Sequence, residues 1–95
     1  MTLTREEVIE YDKKYNQHPW LTGNAKAIPI EKGEGIYFWD YNGKKYTDMS
    51  SQLGNVNLGY GNRKMIEAAK KQLDILPYIA PARASGPRSE LAKML

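Results

Sequence analysis

The dipeptide Asn42-Gly43, set between the aromatic run Tyr37-Phe38-Trp39 and Tyr46, narrows the choice of local fold more than any other feature of the chain. Asparagine and glycine accept positive φ readily, and between β-prone residues they specify a tight hairpin. As a two-residue type I′ turn, the dipeptide places Tyr41 opposite Lys44, Asp40 opposite Lys45, Trp39 opposite Tyr46, Phe38 opposite Thr47 and Ile36 opposite Met49. The Trp39–Tyr46 and Asp40–Lys45 pairs then each add a few tenths to about 1 kcal/mol over alanine pairs. One face carries Ile36, Phe38, Thr47 and Met49, the other Tyr37, Trp39, Tyr46 and Asp48.

The flanks supply the remaining elements. Thr4 and Glu7 form a capping box, followed by Val8, Tyr11 and Tyr15 at helical spacing, so a first helix runs to about Asn16. His18-Pro19 stops it, because proline pushes its predecessor out of the helical region. Residues 20–25 read as loop and 27–30 as a short strand, with Pro29 confining that strand to a sheet edge. Gly33-Glu34-Gly35 is the expected turn into the hairpin. Asn62 caps a second helix with Met65, Ile66, Ala69, Leu73 and Leu76 on one apolar stripe, and Pro77 ends it. Met65, Ile66 and Leu73 are expected in the core. After an ordered loop over 78–85, a third helix opens at Gly86-Pro87 and shows an apolar face at Leu91, Met94 and Leu95. The fold class is α+β: a helix, a three-stranded antiparallel sheet with an Asn-Gly hairpin, then two helices.

Size and charge exclude several functions. At 95 residues the chain is one domain at most, and a domain this small buries only about two-thirds of its unfolded surface. Hydrophobic residues at 41% and charged ones at 26% place it among globular chains. Without cysteine it has no disulfide and no thiolate metal site. With no signal peptide and no long apolar run, the expected location is cytoplasmic, with no membrane partner. The net charge of +3 comes from lysines interleaved with acids, as in Glu67 with Lys70 and Lys71, so nucleic acid is not an expected partner.

Candidate catalytic groups are few. His18 is the only histidine and has no second ligand beside it, so it reads as a loop residue hydrogen-bonding locally. Gly59-Tyr60-Gly61 precedes a helix whose N-terminus suits an anion, but Lys64 stands where a dinucleotide fingerprint needs a third glycine, and turn geometry is the favoured role over anion binding. Ser50 and Ser51 have no base nearby. The polar run from Ser50 to Asn57 reads as a loop whose amides and hydroxyls satisfy backbone groups.

In conjunction the motifs are more specific. Across residues 17–94 the chain carries His18-Pro19-Trp20, the hairpin, the Gly59-Tyr60-Gly61 turn, a helix ending at Leu76-Pro77 and a Glu90-Leu91-Ala92 helix. That order resembles the N-terminal segment of class III (omega-type) aminotransferases, which depend on pyridoxal phosphate. The resemblance implies the small-domain portion of a fold type I enzyme over residues 1–95, with no complete catalytic domain. By position it makes Trp20, Leu53 and Gly54 substrate-binding residues, with Gly54 standing where relatives often carry a bulky aromatic. It implies amino transfer from an amino acid or ω-amino compound to a keto acid, in a homodimer. The family's phosphate-binding loop and cofactor-binding lysine lie beyond Leu95, so no catalytic, cofactor-binding or metal-binding residue is assigned here and the isolated piece is expected to be inactive and to self-associate. The third helix breaks off in mid-pattern, as expected of the front piece of a larger protein. The competing expectation is a small non-enzymatic binding module whose aromatic hairpin face docks a partner by extending its sheet.

Overall fold

The computed structural model describes residues 2–23 and 25–95. Contacts divide the chain into two units, Met1–Gly61 and Asn62–Leu95. The first holds helix α1 (Arg5–Tyr15), strands β1 (Ile30–Glu34), β2 (Tyr37–Asp40) and β3 (Lys45–Thr47), and a four-residue turn of helix, α2 (Ser51–Gly54). The second holds helices α3 (Arg63–Ile75) and α4 (Gly86–Met94).

Helix α1 begins as its sequence dictates. The Glu7 amide donates to Thr4 Oγ1 and the Thr4 amide to Glu7 Oε2, so two otherwise orphaned donors are satisfied reciprocally. It ends at Tyr15, three residues before His18-Pro19, with Asn16 as C-cap. Asp12 accepts from Asn16 Nδ2 at 2.9 Å and lies 2.8 Å from His18 Nε2, so His18 does bond locally. Those two partners, Asn16 first, hold the Asp12 carboxyl below its ordinary range.

The sheet is antiparallel in the order β1-β2-β3. Two of its details differ from the sequence expectation. Strand β1 starts at Ile30 rather than residue 27 and takes in Gly33 and Glu34, with a bulge between Ile30 and Lys32. Its turn into β2 is the pair Gly35-Ile36, with φ +59 at Gly35 alone, the pattern of a type II′ hairpin. Pro29 precedes the strand and offers only its carbonyl, which accepts from the Tyr41 amide.

The second difference is register. Tyr37 pairs with Thr47, Phe38 with Tyr46 and Trp39 with Lys45, one residue away from the type I′ expectation. The loop has three residues: the Gly43 amide donates to Asp40 O, the Asp40 amide to Lys44 O, and of the loop residues only Gly43 takes positive φ, at +78. This is a type I turn closed by a glycine bulge. Asp40 explains the choice, because its Oδ1 accepts from the amides of Asn42 at 2.8 Å and Lys44 at 3.0 Å, which a two-residue turn would not bring together. A one-residue slip exchanges the faces. Phe38 now stacks on Tyr46 at 5.2 Å and 9°, while Tyr37 and Trp39 share the other face with Lys45, whose Nζ is 3.7 Å from the Tyr37 ring centroid.

In the second unit, Asn62 Oδ1 caps α3 by accepting from the Met65 amide, and Leu76 is its C-cap, as the sequence predicts. Pro87 lies in the first turn of α4. The loop between them is ordered by Arg88, whose Nη1 donates to Pro81 O and Arg83 O. The expected core positions do not become core: Met65 is 56% exposed and Leu73 58%. Among the described residues no hydrophobic side chain is fully buried, and the one buried polar residue is Asp40 at 5%. Large apolar side chains stay exposed on both helices of the second unit, among them Ile75 at 69% and Met94 at 83%.

Candidate functional site

Two residues singled out in the sequence, Leu53 and Gly54, lie together on α2, and the backbone there is unusual. Ser51, Gln52 and Leu53 all have positive φ, at +49, +50 and +61, and Gly54 follows at +81. Four successive left-handed residues make one turn of left-handed helix, closed by bonds from the Gly54 amide to Ser50 O and the Asn55 amide to Ser51 O. Each non-glycine residue in that conformation costs roughly 1–2 kcal/mol, so the segment does not hold this shape on its own propensity.

What holds it is a set of polar side chains. Asp48 Oδ1 accepts from the Ser50 amide at 3.1 Å and the Gln52 amide at 3.4 Å. Asn55 Nδ2 donates to Gln52 O and Asn57 Nδ2 to Gly54 O, so the polar run does satisfy backbone groups, as its composition suggests. Tyr60, twelve residues from Asp48, donates its hydroxyl to Asp48 Oδ2 at 2.7 Å. That hydroxyl, with the Ser50 and Gln52 amides, holds the Asp48 carboxyl below its ordinary range against the opposing effect of burial. Burial, followed by the same contact with Asp48, pushes the Tyr60 phenol up.

Glycines let Tyr60 reach this position. A Cβ on Gly33 would stand 2.6 Å from Tyr60 Cγ, so the ring lies directly on the β1 backbone, its plane tilted 68° from that of Phe38. The Tyr60 amide donates to Gly35 O at 2.8 Å and the Gly35 amide returns a bond to Tyr60 O at 3.0 Å. Gly59 makes that bridge possible, since a Cβ there would be 2.8 Å from Gly35 O. The sequence reading places Asp48 on a hairpin face and Tyr60 in a turn and assigns neither to the site. Their partnership spans the loop, and no local pattern announces it.

The result is a turn displayed to solvent. Leu53 is 71% exposed, and open space surrounds the position a Gly54 Cβ would take. Trp20, 80% exposed, sits on the turn closed by the Leu21 amide and His18 O, and among the described residues no hydrogen bond joins it to α2. The described residues contain no cluster of three metal-ligating side chains, and no helix among them is long and apolar enough to cross a membrane. Every lysine among them is exposed, whereas a lysine that serves as a cofactor anchor needs a desolvated pocket that lowers its pKa.

The strained turn Ser51–Gly54, its polar side-chain bonds and the adjoining antiparallel sheet lie in one unit of the chain. The model of the aminotransferase class-III family matches residues 21–95, and the chain belongs to that family. The structure of taurine:2-oxoglutarate aminotransferase from Bifidobacterium kashiwanohense, solved with PLP and glutamate, superposes with a TM-score of 0.90 at 47% identity, covering 99% of this chain and 21% of that one. Vanillin aminotransferase of Capsicum annuum is 46% identical over 76% of this chain and 16% of its own length. Acetylornithine aminotransferase of Archaeoglobus fulgidus is 37% identical over 92% of this chain and 22% of its own. The chain thus spans about a fifth of the length of these relatives.

Proposed function

We propose that this chain is the N-terminal, substrate-facing segment of a pyridoxal-phosphate-dependent aminotransferase that moves an amino group from an ω-amino compound or amino acid to a keto acid. The observation that carries this reading is the superposition of 99% of the chain on a transaminase solved with PLP and glutamate, at 47% identity. The ω-amino donor is supported by the taurine in that relative's name and by the acetylornithine and vanillin in the names of the others. When bound, the cofactor supplies an electron sink for the bond broken at the amino-bearing carbon. In this segment Leu53 offers apolar contact to the donor, Gly54 leaves space for its side chain, and Trp20 adds an aromatic wall.

The assembly we infer is a homodimer. The apolar residues on α3 and α4, with Met65 at 56%, Leu91 at 57% and Met94 at 83% exposure, support it as surface that the rest of the enzyme and its second copy would cover. The test is isotopic. The protein carrying this segment, loaded with pyridoxal phosphate, is expected to pass ¹⁵N from a labelled ω-amino donor to a keto acid, and to lose that transfer when its cofactor-binding lysine is replaced. Loading without any transfer would contradict the assignment.

A further inference from the structure

We propose that the Asp48–Tyr60 hydrogen bond is a latch that positions the left-handed turn Ser51–Gly54 and through it sets the size of amine donor the site accepts. This rests on the transaminase reading above. Three consecutive side-chain-bearing residues at positive φ relax to right-handed or extended backbone unless something outside the turn fixes them. The bonds from Asn55 and Asn57 are internal to the loop and travel with it. Asp48 is different, because one carboxylate oxygen holds the turn's amides while the other is held by Tyr60.

Tyr60 in turn has no freedom to follow a moving loop. Its backbone is bridged in both directions to Gly35, and its ring lies on the bare backbone of Gly33. The chain of contacts therefore runs from strand β1 through Tyr60 and Asp48 to the amide of Gln52, one residue before Leu53. Release at the hydroxyl lets the turn relax and shifts Leu53 and Gly54 together. Asp48 and Tyr60 are positioning residues in this scheme, and neither contacts the donor.

The test uses the full protein carrying this segment, loaded with cofactor, as wild type, Tyr60→Phe, Asp48→Ala and Asp48→Asn. Tyr60→Phe keeps the ring on Gly33 and removes only the hydroxyl. Asp48→Asn keeps an oxygen for the amides and a polar group for Tyr60, so it should restore most of what Asp48→Ala loses. Amide exchange at Gly54 and Asn55, read by mass spectrometry over residues 50–57, is expected to quicken about tenfold or more in Tyr60→Phe and Asp48→Ala, the scale of one lost charge-assisted bond. With a small and a bulky amine donor at fixed keto acid, KM for the donor should rise about tenfold while kcat changes less than about threefold, and the preference between donors should shift about fivefold or more. Unchanged exchange in Tyr60→Phe overturns the latch. Faster exchange with an unchanged donor preference, or equal loss of kcat and cofactor, overturns the selectivity role. A wild type that turns over no donor contradicts the transaminase reading and the selectivity role with it, while the exchange comparison still decides the latch.

Discussion

The hairpin loop at Asp40 and the left-handed turn at Asp48 are built by the same device and arrive at opposite conformations. In each, an aspartate accepts through one oxygen from the amides two and four residues ahead and through the other from a tyrosine hydroxyl: Asn42, Lys44 and Tyr46 for Asp40, Ser50, Gln52 and Tyr60 for Asp48. Around Asp40 the tyrosine comes from the paired strand, and a single glycine at φ +78 completes the turn. Around Asp48 the tyrosine comes from across the loop, and three side-chain-bearing residues are forced to positive φ. The difference teaches that the carboxylate fixes where the backbone amides converge, while glycine placement decides how much strain is stored in bringing them there. Strained backbone of this kind clusters at active sites, ligand clamps and switch regions.

The largest expected effect comes from the bridge that anchors Tyr60. Gly59→Ala combines a φ of +79 with a Cβ 2.8 Å from Gly35 O, and should destabilise the protein by about 3 kcal/mol in chemical denaturation. A loss under about 1 kcal/mol would mean that the bridge gives way freely and that Tyr60 is not fixed. Next, Gly43→Ala should cost about 1–2 kcal/mol, since the hairpin loop has placed its positive φ on the one residue that bears it freely. The opposite sign is expected in the other turn. Ser51→Gly should stabilise by about 1 kcal/mol, because it relieves a left-handed residue at φ +49, and should loosen donor selectivity as it does so. If both substitutions destabilise, the contrast between the turns is wrong.

The smallest effect is the pH dependence. Burial opposes ionisation of Asp40, but the Lys44 and Asn42 amides and the Tyr46 hydroxyl outweigh it and hold its carboxyl below the ordinary range. Asp48 is held down first by Tyr60. Stability from a depressed carboxyl is present above its unfolded pKa and lost as pH falls through the folded value, so both turns weaken at the acid end. The Tyr60 phenol is shifted the other way, so its contribution is present below the ordinary tyrosine value of 10.0 and lost as pH rises through the raised one. The gap in melting temperature between wild type and Tyr60→Phe should therefore hold steady near neutrality and close above about pH 10. A gap that persists there would place the stabilisation in the ring and not in the hydroxyl.

Much of the fold was legible in the residues. The Thr4–Glu7 capping box, the Asn62 cap and Pro87 act within one turn of helix, where sequence spacing is nearly geometry. The Asn42-Gly43 hairpin was legible as an element, but its register was not, because that dipeptide serves two-residue and three-residue loops alike and the Asp40 carboxylate decides between them. Ser51, Gln52 and Leu53 gave no sign of positive φ, since none of them favours it and the forces that impose it come from Asp48 and, twelve residues on, Tyr60. The apolar stripe of α3 was read correctly as a stripe and wrongly as core, because periodicity reports which face is apolar and not what covers it.

The most direct test of the account is a half-reaction followed at the visible absorption of bound pyridoxal phosphate in the protein carrying this segment. An ω-amino donor added alone should convert the cofactor spectrum, and a keto acid added afterwards should restore it. A protein that takes up no pyridoxal phosphate, or whose spectrum stays unmoved by any amine offered, would leave Leu53 and Gly54 without a substrate to meet.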